Sequence, residues 1–253
     1  MREEPVTERE VLRVNLEDGS VKPVRDEVAV ECRIELYING KRHATLLSSP
    51  RKVRELAVGR LLSEGVINGL DEVKSLTVSG GKVHIRLSEK SKTPHTRKVF
   101  WVIEETAKVR FNPTVILRAV DVLNSKAQIF RRTGGTHASA LLDQNGEGIA
   151  FSEDVSRRNA VDKVLGEALL KGVDLRATLL ASTGRLTSDM VMRAARAGIS
   201  VMVSTSAPTD RGIEIAEEFG ITLIGFTRGS KFNVYTHPEG VLERSRSGGL
   251  GTS

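Results

Sequence analysis

From residue 137 to residue 226 short apolar runs alternate with amphipathic ones, and this rhythm leaves the chain few architectures. Strands are expected near 137–142, 147–152, 177–182, 199–204 and 221–226, and helices near 158–171, 187–197 and 209–219. Strands that alternate with helices bury their apolar faces by layering helices against a sheet. Four polar stretches follow the expected strands: "SEDVSRRNAVDK", "STGRLTSD", "STSAPTD" and "GFTRGSK". Ligands of open α/β sheets sit at the carboxyl ends of strands. Several of these loops lead into helices, whose first N–H groups are free to meet an anion. Gly184, Arg185 and Thr209 would flank a phosphate, with Arg157, Arg158, Lys163, Arg228 and Lys231 supplying charge. Singly, such residues are ordinary caps and turns. Four such loops in one domain point to capture of a phosphorylated ligand.

The first half reads as a smaller α+β unit. "VAVECRIELYING" sets Val28, Val30, Cys32, Ile34, Leu36 and Ile38 on one face, the period of a single half-buried strand. Asn39-Gly40 turns it into "KRHATLL", and Gly80-Gly81 turns a second hairpin, "KSLTVSGGKVHIRLS". Between them "SSPRKVRELAVGRLLSEG" predicts a helix with Ser49 as N-cap, Pro50 at its first position and Gly65 at its end. "SEKSKTPHTRK", residues 88–98, reads as a linker, so domains are expected at 1–97 and 98–253. "VFWVIEE" reads as a strand, Asn112-Pro113 opens the helix "TVILRAVDVLN", and the tail "RSRSGGLGTS" reads as disordered.

Composition narrows the function. No run of about 18 apolar residues exists to span a membrane, and the charged start "MREEPVTERE" lacks a secretory h-region, so a cytoplasmic protein is expected. The net charge of +6 favours an anionic ligand, and the scarcity of Gln is a thermophile-like trait. Aromatics are 4% of residues with no clustered platform for base stacking, which argues against RNA. No phosphate-binding G-x-x-x-x-G-K-[ST] and no G-x-G-x-x-G occurs. "GGTHAS" invites comparison with a zinc deaminase, but that chemistry needs H-x-E and P-C-x-x-C. Ala138 and Ser139 follow His137 and the second half has no cysteine, so no metal is expected there. Cys32 is the single cysteine, lies in an apolar stripe and reads as core, so no catalytic residue is expected.

"TGGTHASALLD", "EDVSRRNAVDK", "GRLTSDMVMRAARAGISVMVSTSAPTD" and "EEFGITLIGFTRGSKFNVYTHP" together resemble the formate dehydrogenase accessory sulfurtransferases, the FdhD/NarQ family. "EVAVECRIELYINGKRHATLLSSP" and "ELAVGRLLSEGVI" agree, so the likeness runs in order over roughly residues 24–242. The resemblance implies a cytoplasmic, typically homodimeric protein that serves formate dehydrogenase apoenzyme. It implies binding of the bis-molybdopterin guanine dinucleotide cofactor of molybdenum or tungsten, with GDP or GTP as a mimic, and sulfur from a cysteine desulfurase. It implies a cytidine-deaminase-like layered α/β domain without zinc, beside the smaller N-terminal domain; from composition, no membrane or nucleic-acid partner is expected. The cofactor-binding residues it implies are Gly135, Thr136, His137, Glu153, Asp154, Arg157, Asn159, Asp162, Lys163, Gly184, Arg185, Ser206, Phe226, Thr227, Arg228, Gly229, Ser230 and Lys231.

Three positions depart from the family pattern. Ser156 and Arg158 stand where the family has Gly and His. The family's sulfur-carrying C-x-x-C loop corresponds here to "HTRKVFWVIEETAKVRFN", which has no cysteine. Two functions of different class follow: a sulfurtransferase using an unexpected thiol, or a cofactor-binding chaperone without covalent chemistry. Another guanine-nucleotide-binding protein is a third.

Overall fold

The computed structural model describes residues 4–88 and 109–242. "VFWVIEE", most of the expected linker and the C-terminal tail lie outside the described residues. The class is mixed α/β. Strands β1 (Val6–Val14) and β2 (Val21–Ala29) form a two-stranded antiparallel ribbon. Strands β3 (Cys32–Ile38), β4 (Lys41–Ser48), β5 (Val73–Ser79) and β6 (Lys82–Leu87) form a sheet in the order β4-β3-β6-β5. Asn39 and Gly40 turn β3 into β4 with positive φ at both positions, as the hairpin signal requires.

The expected continuous strand through residues 28–38 is broken. β2 ends at Ala29, the Val30 N–H bonds to the Pro5 carbonyl, and β3 starts a different sheet at Cys32. Alternation reports which side chains are buried, and it survives a change of sheet. The Ser49 cap is also a correction. Helix α1 runs Val53–Glu64, and Lys52 precedes it in the left-handed region without a side-chain cap. Every polar group of Ser49 is used elsewhere: its N–H on Asp154, its carbonyl on Lys163, its hydroxyl on the Val155 N–H. Gly65 closes α1 as expected, at φ 71°.

The second half holds helices α2 (Pro113–Lys126), α3 (Gln128–Thr133), α4 (Arg157–Leu170), α5 (Ser188–Arg196) and α6 (Asp210–Glu218). Its strands are β7 (His137–Leu142), β8 (Gly148–Asp154), β9 (Leu179–Ser182), β10 (Val201–Ser204), β11 (Thr222–Arg228) and β12 (Lys231–Thr236). They form one sheet in the order β12-β11-β10-β9-β7-β8. The expected strands and helices from 137 to 226 are all present. β1, α3 and β12 were not expected.

Two apolar layers cover this sheet. Ala140, Leu142, Ala181, Val203 and Ile224 face Val115, Ile116, Ala119 and Leu123 of α2. Leu141, Leu180, Met202 and Leu223 face the α4, α5 and α6 side, through Val161, Met190 and Ile215. α1 then packs on α4 and carries the smaller sheet on its other side. The α1–α4 crossing is a backbone contact: a Cβ at Gly59 would lie 1.7 Å from the Asp162 carbonyl oxygen, and one at Gly166 would lie 1.9 Å from that of Glu55. Among the described residues no helix is long and apolar enough to cross a membrane.

Candidate functional site

Strand direction assembles the site. β9, β10 and β11 are parallel, and β7 runs against both β8 and β9. The carboxyl ends of β8, β9, β10 and β11 therefore meet the start of β7 at one edge of the sheet. The four polar loops follow these four ends. A cavity of about 710 Å³ opens at this edge, a volume typical of a small-molecule site. His137, Val155, Thr183, Thr205 and Thr227 line it from the strand ends. Leu117, Val120, Asp121 and Asn124 line it from α2, at spacings that put them on one helix face.

The "GGTH" loop is one wall. Gly134 takes φ 65°, which closes α3 through its N–H on the Phe130 carbonyl. Gly135 passes close to β2: a Cβ there would lie 3.1 Å from Ala29 Cβ. Glu153 holds the loop and the helix before it. Its carboxylate accepts from the Ile129 and Phe130 N–H groups at 3.0 and 2.8 Å and from the Thr136 hydroxyl at 3.0 Å. α3 thus starts on an acid 24 residues downstream of Ile129, which is why no local cap announces it.

His137 is half-buried, with Nδ1 3.3 Å from the Thr183 hydroxyl. Burial, then the nearby Arg157 charge, holds its imidazole below the ordinary histidine value. Thr227 is 1% exposed, lies on the cavity wall, and its hydroxyl has no hydrogen-bond partner. Beside it Phe226 takes φ 51° and is exposed, with the Arg228 guanidinium 6.0 Å from its ring centre. A non-glycine residue in that region is uncommon and strained.

The sequence-implied residues separate into groups. Gly135, Thr136, His137, Thr227, Arg228 and Gly229 line the cavity. Gly184 sits under the Arg157 side chain, where a Cβ would come 2.7 Å from Arg157 Cδ, and the Arg157 Nε is buried without a partner. Ser206 donates to the Thr183 carbonyl at 2.8 Å. Phe226, Arg185, Ser230 and Lys231 are exposed off the cavity wall. Thr209, expected to flank a phosphate, accepts from the Gly212 N–H and caps α6. Arg158 bonds Asp189.

Asp154, Asn159, Asp162 and Lys163 are buried and face inward. Asp154 accepts from the Ser48 hydroxyl, the Ser49 and Ser156 N–H groups and Asn159, and pairs with Lys163. Asp162 accepts from Ser63 at 2.6 Å and Arg193 at 3.0 Å. Burial raises its carboxyl above the ordinary aspartate value, although Arg193 opposes this. These two networks join α4 to the smaller sheet and to α1 and α5. Sequence reasoning missed Asp121, Asn124 and Phe130. The signal available was that Asp121 and Asn124 share an α2 face with Leu117.

Comparison with known proteins assigns the chain. The FdhD/NarQ family model matches residues 29–242. The sulfur carrier protein FdhD of Bacillus subtilis is 34% identical over 249 residues, covering 90% of this chain and 95% of that protein. The protein of the same name from Sulfolobus acidocaldarius is 36% identical over 249 residues, covering 91% and 97%. A crystal structure from Desulfotalea psychrophila, described as a formate dehydrogenase accessory protein, superposes with a TM-score of 0.82 at 25% identity, covering 94% of this chain and all of that one. With its family motifs in order and relatives matched along nearly their whole length, this chain belongs to the FdhD/NarQ family.

Proposed function

We propose that this chain is an accessory protein of formate dehydrogenase maturation that binds the bis-molybdopterin guanine dinucleotide cofactor by seating a guanine nucleotide end in the strand-end cavity. One observation carries the reading. Thr227 buries a hydroxyl without a partner on the wall of a cavity built from four strand-end loops. Leaving such a group unpaired costs about 1–3 kcal/mol, so a polar ligand atom that met it would recover the cost. The volume suits one nucleotide end, with Thr227, Arg228 and His137 as the polar contacts on this chain. The names of the relatives support the maturation role.

The cofactor supplies the metal and dithiolene chemistry of the client enzyme. This chain's part is to bind and orient it. Cys32, the sole thiol, is half-buried at the start of β3 and packs against the core. A persulfide carrier needs an exposed, activated thiolate. The proposal is therefore a cofactor-holding accessory protein that passes no sulfur through a persulfide of its own. It extends to a homodimer in the cytoplasm, apo-formate dehydrogenase as recipient, a cysteine desulfurase as neighbour in the same process, and a deaminase-like layering of the described second half, residues 109–242.

The test is calorimetric titration with GDP, with Thr227→Val beside the parent. The parent should bind, and the variant should bind about tenfold more weakly, the loss of one good hydrogen bond. No binding by the parent at millimolar GDP sinks the reading. Incubation with a cysteine desulfurase and labelled cysteine tests the sulfur step: a reductant-labile label on Cys32 that passes to the cofactor restores the persulfide relay.

A further inference from the structure

We infer that the α2–α3 wall of the cavity reads the nucleobase and that Asp121 selects guanine over the other purines. The inference rests on the nucleotide reading above and adds an orientation and a specificity residue. The cavity lining carries opposite charges on different elements: Asp121 on α2, and Arg228 at the end of β11. A nucleotide carries a neutral base at one end and phosphates at the other, so Arg228 is the attraction for phosphate and the α2 side is left to the base.

That side is chemically suited to a base. Leu117 and Val120 give an apolar surface, and Phe130 on α3 presents a ring that is 50% exposed. Aromatic rings stack bases at about 1–3 kcal/mol each. The Phe130 main chain is fixed, because Glu153 accepts its N–H at 2.8 Å. Among the described residues Asp121 has no hydrogen-bond or ion-pair partner, so its carboxylate is free to accept. Guanine alone among the common bases offers two adjacent N–H donors on one edge, at N1 and the 2-amino group. A carboxylate accepts such a pair in parallel, the strong bidentate arrangement. Adenine presents the N1 lone pair there and repels the same carboxylate. Asn124, one turn further along α2, adds an amide donor for the guanine 6-oxo group.

The experiment titrates the full chain with GDP, inosine diphosphate, xanthosine diphosphate and ADP, then repeats this with Asp121→Asn. Inosine lacks the 2-amino group, so the parent should bind it about tenfold or more weakly than GDP, one charge-assisted bond being lost. Asp121→Asn should weaken GDP by a similar factor and strengthen xanthosine diphosphate, whose 2-oxo group an amide can donate to. Asp121 is exposed, and unchanged thermal unfolding of the variant confirms that folding is intact. If the parent binds GDP and neither the inosine change nor the Asn variant alters affinity, the base lies elsewhere: the inference falls while the nucleotide reading stands. If the parent binds no GDP, both fall together.

Discussion

The Lys163 ammonium lies 2.6 Å from the Asp154 carboxylate, and neither side chain is exposed to solvent. Burial pulls the Lys163 ammonium below the ordinary lysine value, against the Asp154 charge, which works the other way. The pair survives because Asp154 takes four further hydrogen bonds, from Ser48, Ser49, Ser156 and Asn159. Removing one partner strands the other charge in the interior. Lys163→Met should therefore cost about 3–5 kcal/mol, read as a lower urea midpoint at unchanged slope. Asp154→Asn should be costly too, and the double variant should lose less than the sum of the singles, because the pair is coupled. A cost below about 1 kcal/mol for Lys163→Met would show that the site relaxes and admits water.

The α1–α4 crossing should be equally intolerant, for a different reason. Gly59 and Gly166 each leave no room for a methyl, and the atoms in the way are backbone carbonyls of Asp162 and Glu55. A side chain can swing aside, but a helix backbone has to translate. Gly59→Ala and Gly166→Ala should each destabilise by about 1–3 kcal/mol or more, despite alanine's better helix propensity. Chemical denaturation of each variant measures it. A stabilised Gly59→Ala would mean that the helices separate without loss, and the close crossing would have no structural weight.

The fold and the site are legible in the sequence to different depths. The strand and helix rhythm from 137 to 226 was readable because apolar spacing is local. So was the gathering of four polar loops at one sheet edge, since alternation of strands and helices fixes strand direction. Arg228 on the cavity wall followed from it, whereas His137 and Thr227 on the same wall came from the family resemblance. Asp154 and Lys163 lie in the same polar stretch as Arg157, and nothing local tells an inward acid from one facing a ligand. Only the register of Asp154 opposite His137, with Ser48 and Ser49 arriving from the other sheet, decides it. Helix α3 was unreadable because its cap, Glu153, comes from another strand. The Ser49 cap failed because the tertiary network claims that residue first.

His137 gives the cavity a pH dependence whose sign follows from its surroundings. Burial, then the Arg157 charge, depresses its folded-state value below 6.5. The unfolded chain titrates at the ordinary value, so below it the unfolded state binds a proton that the folded state resists. The stability tied to a neutral His137 is therefore complete above about pH 6.5 and lost as pH falls through the folded value. His137→Gln keeps a partner for the Thr183 hydroxyl and removes the titration. As pH is lowered from about 7.5 to about 5, spanning the ordinary histidine value, the thermal midpoint of the parent should fall more steeply than that of His137→Gln. Arg157→Gln should make the parent's fall shallower, since it removes one of the two causes. GDP should do the same under the proposed function, because phosphate beside the imidazole favours its charged form. Parallel pH curves for the parent and His137→Gln would show that the imidazole titrates alike in both states and that its burial imposes no charge penalty.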